Sequence, residues 1–226
     1  MTRAYNVRFD ETDTPLPDMI DRLGVVLADR KIIPHSVSWL ARANDRPTVD
    51  LSQLSEIPVV DGDLSPVGPQ VASWWGVNIY CVSLALAERF GRGDAMEVDF
   101  AIFHTPSGRR TLEYKESSRV YDARVTDEDA ENELYALQLM LCSALGFRIS
   151  DYDEETSPLT RSPCASLHEA QRIIERAVQK NVGTAVVIAQ SLLGMPDAEK
   201  LAGKRADDVK FTATGYLLFR LLHKHR

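Results

Sequence analysis

Cysteine, positive charge and long apolar runs are what this chain has least of. Its 226 residues hold three cysteines, Cys81, Cys142 and Cys164. They form no C-x-x-C pair and no Cys/His cluster, which argues against a disulfide framework and a structural zinc site. No apolar stretch has signal length at the N-terminus, and none is long enough to cross a bilayer. The expected setting is therefore a reducing cytoplasm. Lys and Arg total 26 against 33 Asp and Glu, a net charge of −7. Proteins that grip nucleic acid by its phosphates carry the opposite balance, so this one fits a basic partner better. The phosphate-binding G-x-x-x-x-G-K-[ST], the dinucleotide G-x-G-x-x-G and the nucleophile elbow G-x-S-x-G are also missing. Neither His104 nor Cys164 has a triad partner in sequence.

What is present is an ordinary globular composition, 44% hydrophobic and 26% charged. It is long enough for a sizeable core and is read as a single α+β domain over residues 1–226. The stretch 96–117 organises it. Met96, Val98, Phe100 and Ile102 alternate with Glu97, Asp99, Ala101 and Phe103, and Leu112 and Tyr114 alternate with Thr111, Glu113 and Lys115. A period of two predicts two half-buried strands. Pro106-Ser107-Gly108 between them predicts a three-residue hairpin loop, with glycine in the left-handed position. That loop length sets Thr105 opposite Arg109. Ile102 then faces Leu112, Phe100 faces Tyr114, Ala101 faces Glu113 and Asp99 faces Lys115. A slip by one residue would oppose apolar to polar throughout.

The polar face of this hairpin gathers Asp99, Glu113 and Lys115, and two readings follow. The spacing resembles the D…ExK motif of the restriction-endonuclease-like nuclease superfamily. That resemblance implies a catalytic set of Asp99, Glu113 and Lys115 around magnesium, with carboxylate ligands and a lysine that orients the attacking water. Glu88 would be a fourth acidic group if its segment is helical. The other reading is a cross-strand ion pair between Asp99 and Lys115 on a solvated face, with no metal and no cofactor.

The remaining elements follow from local pattern. Residues 3–9 alternate as a first strand, and Asp18 is placed as the cap of a helix from Met19 to about Arg30. Residues 31–70 are broken by prolines, with short strands near Val37, Trp39 and Leu51 and a turn at Asp61-Gly62-Asp63. Residues 71–90 fit a strand or a helix: the first half prefers strand and the second half helix, and a strand pairing with the hairpin is favoured. Trp74 there is a candidate binding residue, as tryptophan is common at interface centres. A helix opens after Thr126 and ends at Gly146, with Leu134, Leu137, Leu141, Ala144 and Leu145 as its buried stripe.

Residues 150–165 are predicted to be a surface loop. Its acidic run, Asp151, Asp153, Glu154 and Glu155, is a candidate binding site for a basic partner. Further helices are expected from Ser166 or Leu167 to near Asn181, across 182–194, and from Pro196 to about Lys204. The leucines of the tail favour helix there as well. Strands first and helices last predict an α+β fold, an antiparallel sheet around the central hairpin 96–117 covered by helices, with a helical C-terminal third. The leading functional expectation is a non-catalytic cytoplasmic protein that binds another protein, such as an inhibitor or immunity-type protein. The magnesium-dependent nuclease is the alternative.

Overall fold

In the computed structural model, residues 5–40, 56–90, 96–117, 120, 127–153, 164–180 and 184–221 are described. In chain order they form β1 (Tyr5–Phe9), α1 (Leu16–Asp29), β2 (Ile32–Trp39), β3 (Glu56–Pro58), β4 (Gly76–Ser83), α2 (Leu84–Arg89), β5 (Glu97–His104) and β6 (Arg110–Glu116). Then come α3 (Glu128–Leu145), β7 (Ile149–Asp153), α4 (Leu167–Lys180), β8 (Thr184–Ala189), α5 (Met195–Ala202), β9 (Val209–Phe211) and β10 (Tyr216–Leu221).

The hairpin forms in the register its loop dictates. Asp99 faces Lys115, Phe100 faces Tyr114, Ala101 faces Glu113 and Ile102 faces Leu112. Gly108 takes a φ of 83°, and Thr105 N–H donates to Arg109 O at 2.9 Å. The Asp-Gly turn also holds, with φ of 52° at Asp61 and 74° at Gly62. Asp63 N–H donates to Val60 O at 3.0 Å, which closes a type I′ turn.

From the hairpin the sheet grows both ways to ten strands, in the order β3-β2-β4-β5-β6-β1-β7-β8-β10-β9. Every pairing in it is antiparallel. The first strand of the chain is therefore an inner strand. It pairs with β6 on one side and β7 on the other.

Helices cover both faces. On one, α1 and α3 lie over Val7, Phe9, Val77, Ile79, Phe100, Ile102, Leu112, Val187 and Leu218 in the larger core. α1 contributes Leu16, Met19, Ile20, Leu23, Val26 and Leu27 at helical spacing. On the other face, α4 and α5 lie over Ile149, Val186, Ile188, Val209, Leu217 and Phe219 in a second core. Along β8 and β10 the side chains alternate between the two cores, as a strand buried on both faces must.

The α+β expectation is met, and the C-terminal part does hold helices, but three local readings are corrected. Residues 184–189 form a strand, not a helix, and all six are buried. Thr184, Val186, Val187 and Ile188 are β-branched and suit a pleated surface; an all-apolar run carries no period to tell the two apart. The tail strand β10 pairs with β8 along its whole length. Residues 149–153 are a strand as well, so the predicted surface loop begins later than expected.

Two helix starts also differ. Asp18 lies in the first turn of α1, after Pro15 and Leu16, and is not its cap. The cap of α3 is Asp127, whose side chain accepts from Asp129 N and Ala130 N. α3 ends as expected at Gly146, with φ of 76°. In 71–90 the strand that pairs with the hairpin is present as Gly76–Ser83, and a short helix, Leu84–Arg89, follows it.

Gly76 fixes how closely β4 approaches β5. A Cβ there would lie 2.7 Å from Ile102 O and 2.8 Å from Phe103 Cβ. Gly76→Ala is expected to push the strands apart and cost about 1–3 kcal/mol. Urea unfolding followed by fluorescence measures this, since Trp74 and Trp75 adjoin the site.

Candidate functional site

Three arrangements of polar and exposed side chains are candidates. The first is at the junction of β1 and β7. Arg8 and Asp151 are register partners there, and their side chains are 3% and 0% exposed. Arg8 Nε donates to Asp151 Oδ1 at 2.9 Å, and Nη2 donates to Oδ1 at 2.8 Å and to Oδ2 at 2.7 Å. Glu169 of α4 adds a contact of 3.3 Å. Burial opposes the guanidinium charge, but Asp151 and Glu169 outweigh it and raise the Arg8 pKa. At the end of β1, Asp10 accepts from the backbone N–H groups of Arg148 and Ile149. Burial still raises its carboxyl pKa.

This corrects the acidic-run reading. Asp151 belongs to the interior and binds Arg8, so it is not part of an exposed binding loop. Asp153 is the last residue of β7. Glu154 and Glu155 lie outside the described residues.

The second arrangement is the polar row across the hairpin. Cross-strand pairing sets Ser36, Tyr80, Asp99, Lys115 and Asn6 side by side. Lys115 Nζ lies 3.3 Å from Glu113 Oε2, and Asn6 Nδ2 donates to Glu113 Oε1. The lysine thus binds the carboxylate on its own strand. Its effect on Asp99 is a coulombic lowering, outweighed by burial, which raises the Asp99 pKa.

Both Glu113 oxygens are thus engaged, one by Lys115 and one by Asn6. Among the described residues no three His, Cys, Asp or Glu side chains are grouped to hold a metal ion. Glu88 lies on helix α2, as the resemblance would need, but it pairs with Lys31 at 3.6 Å. Trp74 is partly buried and packs against the larger core. Trp75 stacks on Phe103 with ring centres 5.7 Å apart.

The third arrangement was not anticipated from the sequence. α1 and α3 run antiparallel. Arg22, early in α1, donates to Ala144 O late in α3, and Arg30, just past α1, meets Glu133 at 3.0 Å. Val25, Val26, Asp29, Ala136, Leu139, Met140 and Ala144 line a groove between them of about 530 Å³. Val25 is 73% exposed. α1 carries Asp18, Asp21 and Asp29 against Arg22, and α3 carries Glu128, Asp129, Glu131 and Glu133 with no basic side chain. Together they hold −6 of the chain's net −7.

Arg30, Arg89 and Arg220 pair with Glu133, Asp129 and Glu128. Asp18 and Asp21 have no ion-pair partner among the described residues. Acidic residues on each helix were legible from spacing; that the two helices are neighbours was not.

These features define an α+β protein whose antiparallel sheet has a helical layer on each face, one of them acidic. No protein-family model matches the chain, and no curated protein matches it. One chain of the crystal structure of the toxic C-terminal tip of CdiA from Pseudomonas aeruginosa in complex with immune protein superposes with a TM-score of 0.36 at 10% identity. The match covers 69% of this chain and 88% of that one. Likeness at that level shows neither a shared fold nor a shared role. No helix among the described residues is long and apolar enough to cross a membrane.

Two outcomes are expected. Asp151→Ala leaves Arg8 buried without its main partner and should cost about 3–5 kcal/mol in urea unfolding. Arg8→Met with Asp151→Leu should recover most of that loss; no recovery would mean the junction needs the charge itself. The second concerns Cys164, whose thiol burial, with Glu11 nearby, pushes up to about 11. Alkylation of the native protein should be slow at pH 8 and accelerate as pH rises towards that value, because the thiolate is the nucleophile. Mass spectrometry of labelled peptides reads both rates.

Proposed function

We propose that this chain is a non-catalytic cytoplasmic protein that binds a basic protein partner, as an inhibitor or immunity-type protein neutralises a toxin. The observation that carries this reading is the charge distribution, with α1 and α3 holding −6 on one face of the sheet. Of their carboxylates, Glu133, Asp129 and Glu128 are closely paired, with Arg30, Arg89 and Arg220. Such a layer steers a basic partner towards itself over several ångströms and repels acidic ones.

The hairpin supports the same reading. Glu113 is held by Lys115 and Asn6, which makes the acid–lysine set an internal network across β1 and β6. A magnesium-dependent nuclease at Asp99, Glu113 and Lys115 would use the same carboxylate that Lys115 and Asn6 now hold. Cys81, Cys142 and Cys164 form no disulfide among the described residues, which suits a reducing compartment.

Purified protein incubated with DNA and RNA in magnesium or manganese is expected to leave both intact. Immobilised on a column, it should retain from its host lysate a basic protein that is released at high salt, where surface attraction is screened. Metal-dependent cleavage that disappears in Glu113→Ala would replace the binding reading with the nuclease.

A further inference from the structure

We infer that the groove between α1 and α3 docks a basic amphipathic helix of the partner protein, an inference that rests on the binding reading above. The groove is lined mainly by apolar side chains, Val26, Ala136, Leu139, Met140 and Ala144, with Val25 exposed beside them. Arg30, the cation in its lining, is held by Glu133 and Met140. Two antiparallel helices leave a furrow into which a third packs by ridges and grooves, presenting apolar residues at helical spacing.

Charge selects which helix. Asp21 and Asp29 stand four residues before and after Val25, so the three share one stripe of α1. A partner helix that seats its apolar stripe on Val25 brings its own flanking residues beside those carboxylates, one turn to either side. Asp21 has no ion-pair partner among the described residues, and Asp29 only a 3.8 Å contact with Arg30. Lysines or arginines at those flanks complete the contact. A second copy of this chain would bring the same acidic layer to the groove. An anionic lipid surface would likewise meet charge of its own sign.

The test uses the full chain with a benzophenone-bearing phenylalanine in place of Val25, or in place of Glu175, which is exposed on α4 across the sheet. Both proteins are irradiated in host cells and the adducts mapped by mass spectrometry. The position-25 protein is also made with Asp21→Lys and Asp29→Lys, and circular dichroism and unfolding confirm its fold.

The expected result is an adduct at position 25 to a Lys/Arg-rich helical segment of another protein. Its yield should fall about tenfold on charge reversal, as rim charges control encounter. Position 175 should give none. An adduct at position 25 to a second copy, to lipid, or to a segment that is not basic overturns the inference, as does one insensitive to charge reversal. Adducts at 175 but not 25 overturn the groove and leave the binding reading standing. Adducts at neither position count against both.

Discussion

The buried contact of Arg8 with Asp151 holds the two halves of the sheet together. β1 is five residues long and sits between a set of five strands, β3, β2, β4, β5 and β6, and a set of four, β7, β8, β10 and β9. Without β1 each set would end in an unpaired edge, open to association with other chains. Backbone pairing alone would not fix its register, since a slip by one residue exchanges its faces. Arg8 removes that freedom. A slip by one residue would turn its guanidinium to the opposite face and leave Asp151 buried without it.

That constraint has a kinetic side. Arg8 and Asp151 are 143 residues apart in sequence, and Asn6 and Glu113 are 107 apart. The hairpin of β5 and β6 closes over three residues and is local. Insertion of β1 is among the most non-local steps in the fold, and such steps carry the largest loop-closure cost. The polar face of the hairpin is what receives it. Glu113 faces Arg8 in the register and accepts from Asn6, so the candidate catalytic triplet is part of the junction.

The boundary between what sequence shows and what it hides follows the same division. The hairpin register, the turn at Asp61-Gly62 and both ends of α3 rest on interactions within a few residues, so pattern and turn chemistry suffice. β8 was hidden because it is covered on both faces. Burial removes the alternation that marks a strand, and the short run Thr184–Ala189 resembles buried helix. Asp151 was misplaced for a related reason. Next to Asp153, Glu154 and Glu155 it reads as solvated charge, and the arginine that draws it inside lies at the far end of the chain. The D…ExK spacing is a local signal, but how Glu113 is engaged depends on Asn6, 107 residues away in sequence.

The acidic layer follows from the same architecture. α3 starts with Glu128, Asp129 and Glu131, which favour its N-terminus through the helix dipole. Arginines from elsewhere, Arg89 and Arg220, pair with the first two of these, so that end of the layer is largely structural. The carboxylates of α1 differ. Asp18 assists the helix dipole, but Asp21 and Asp29 lie beyond the first turn and their charge does little for α1 itself. They flank the most exposed large apolar side chain described, Val25. Exposed valine costs the isolated fold a little through unburied apolar surface. Of the two carboxylates beside it, only Asp29 has an ion-pair contact among the described residues, at 3.8 Å with Arg30. A partner that covered the valine and supplied positive charge would answer both, which is why the proposed contact is placed on this stripe and not on the better-neutralised start of α3.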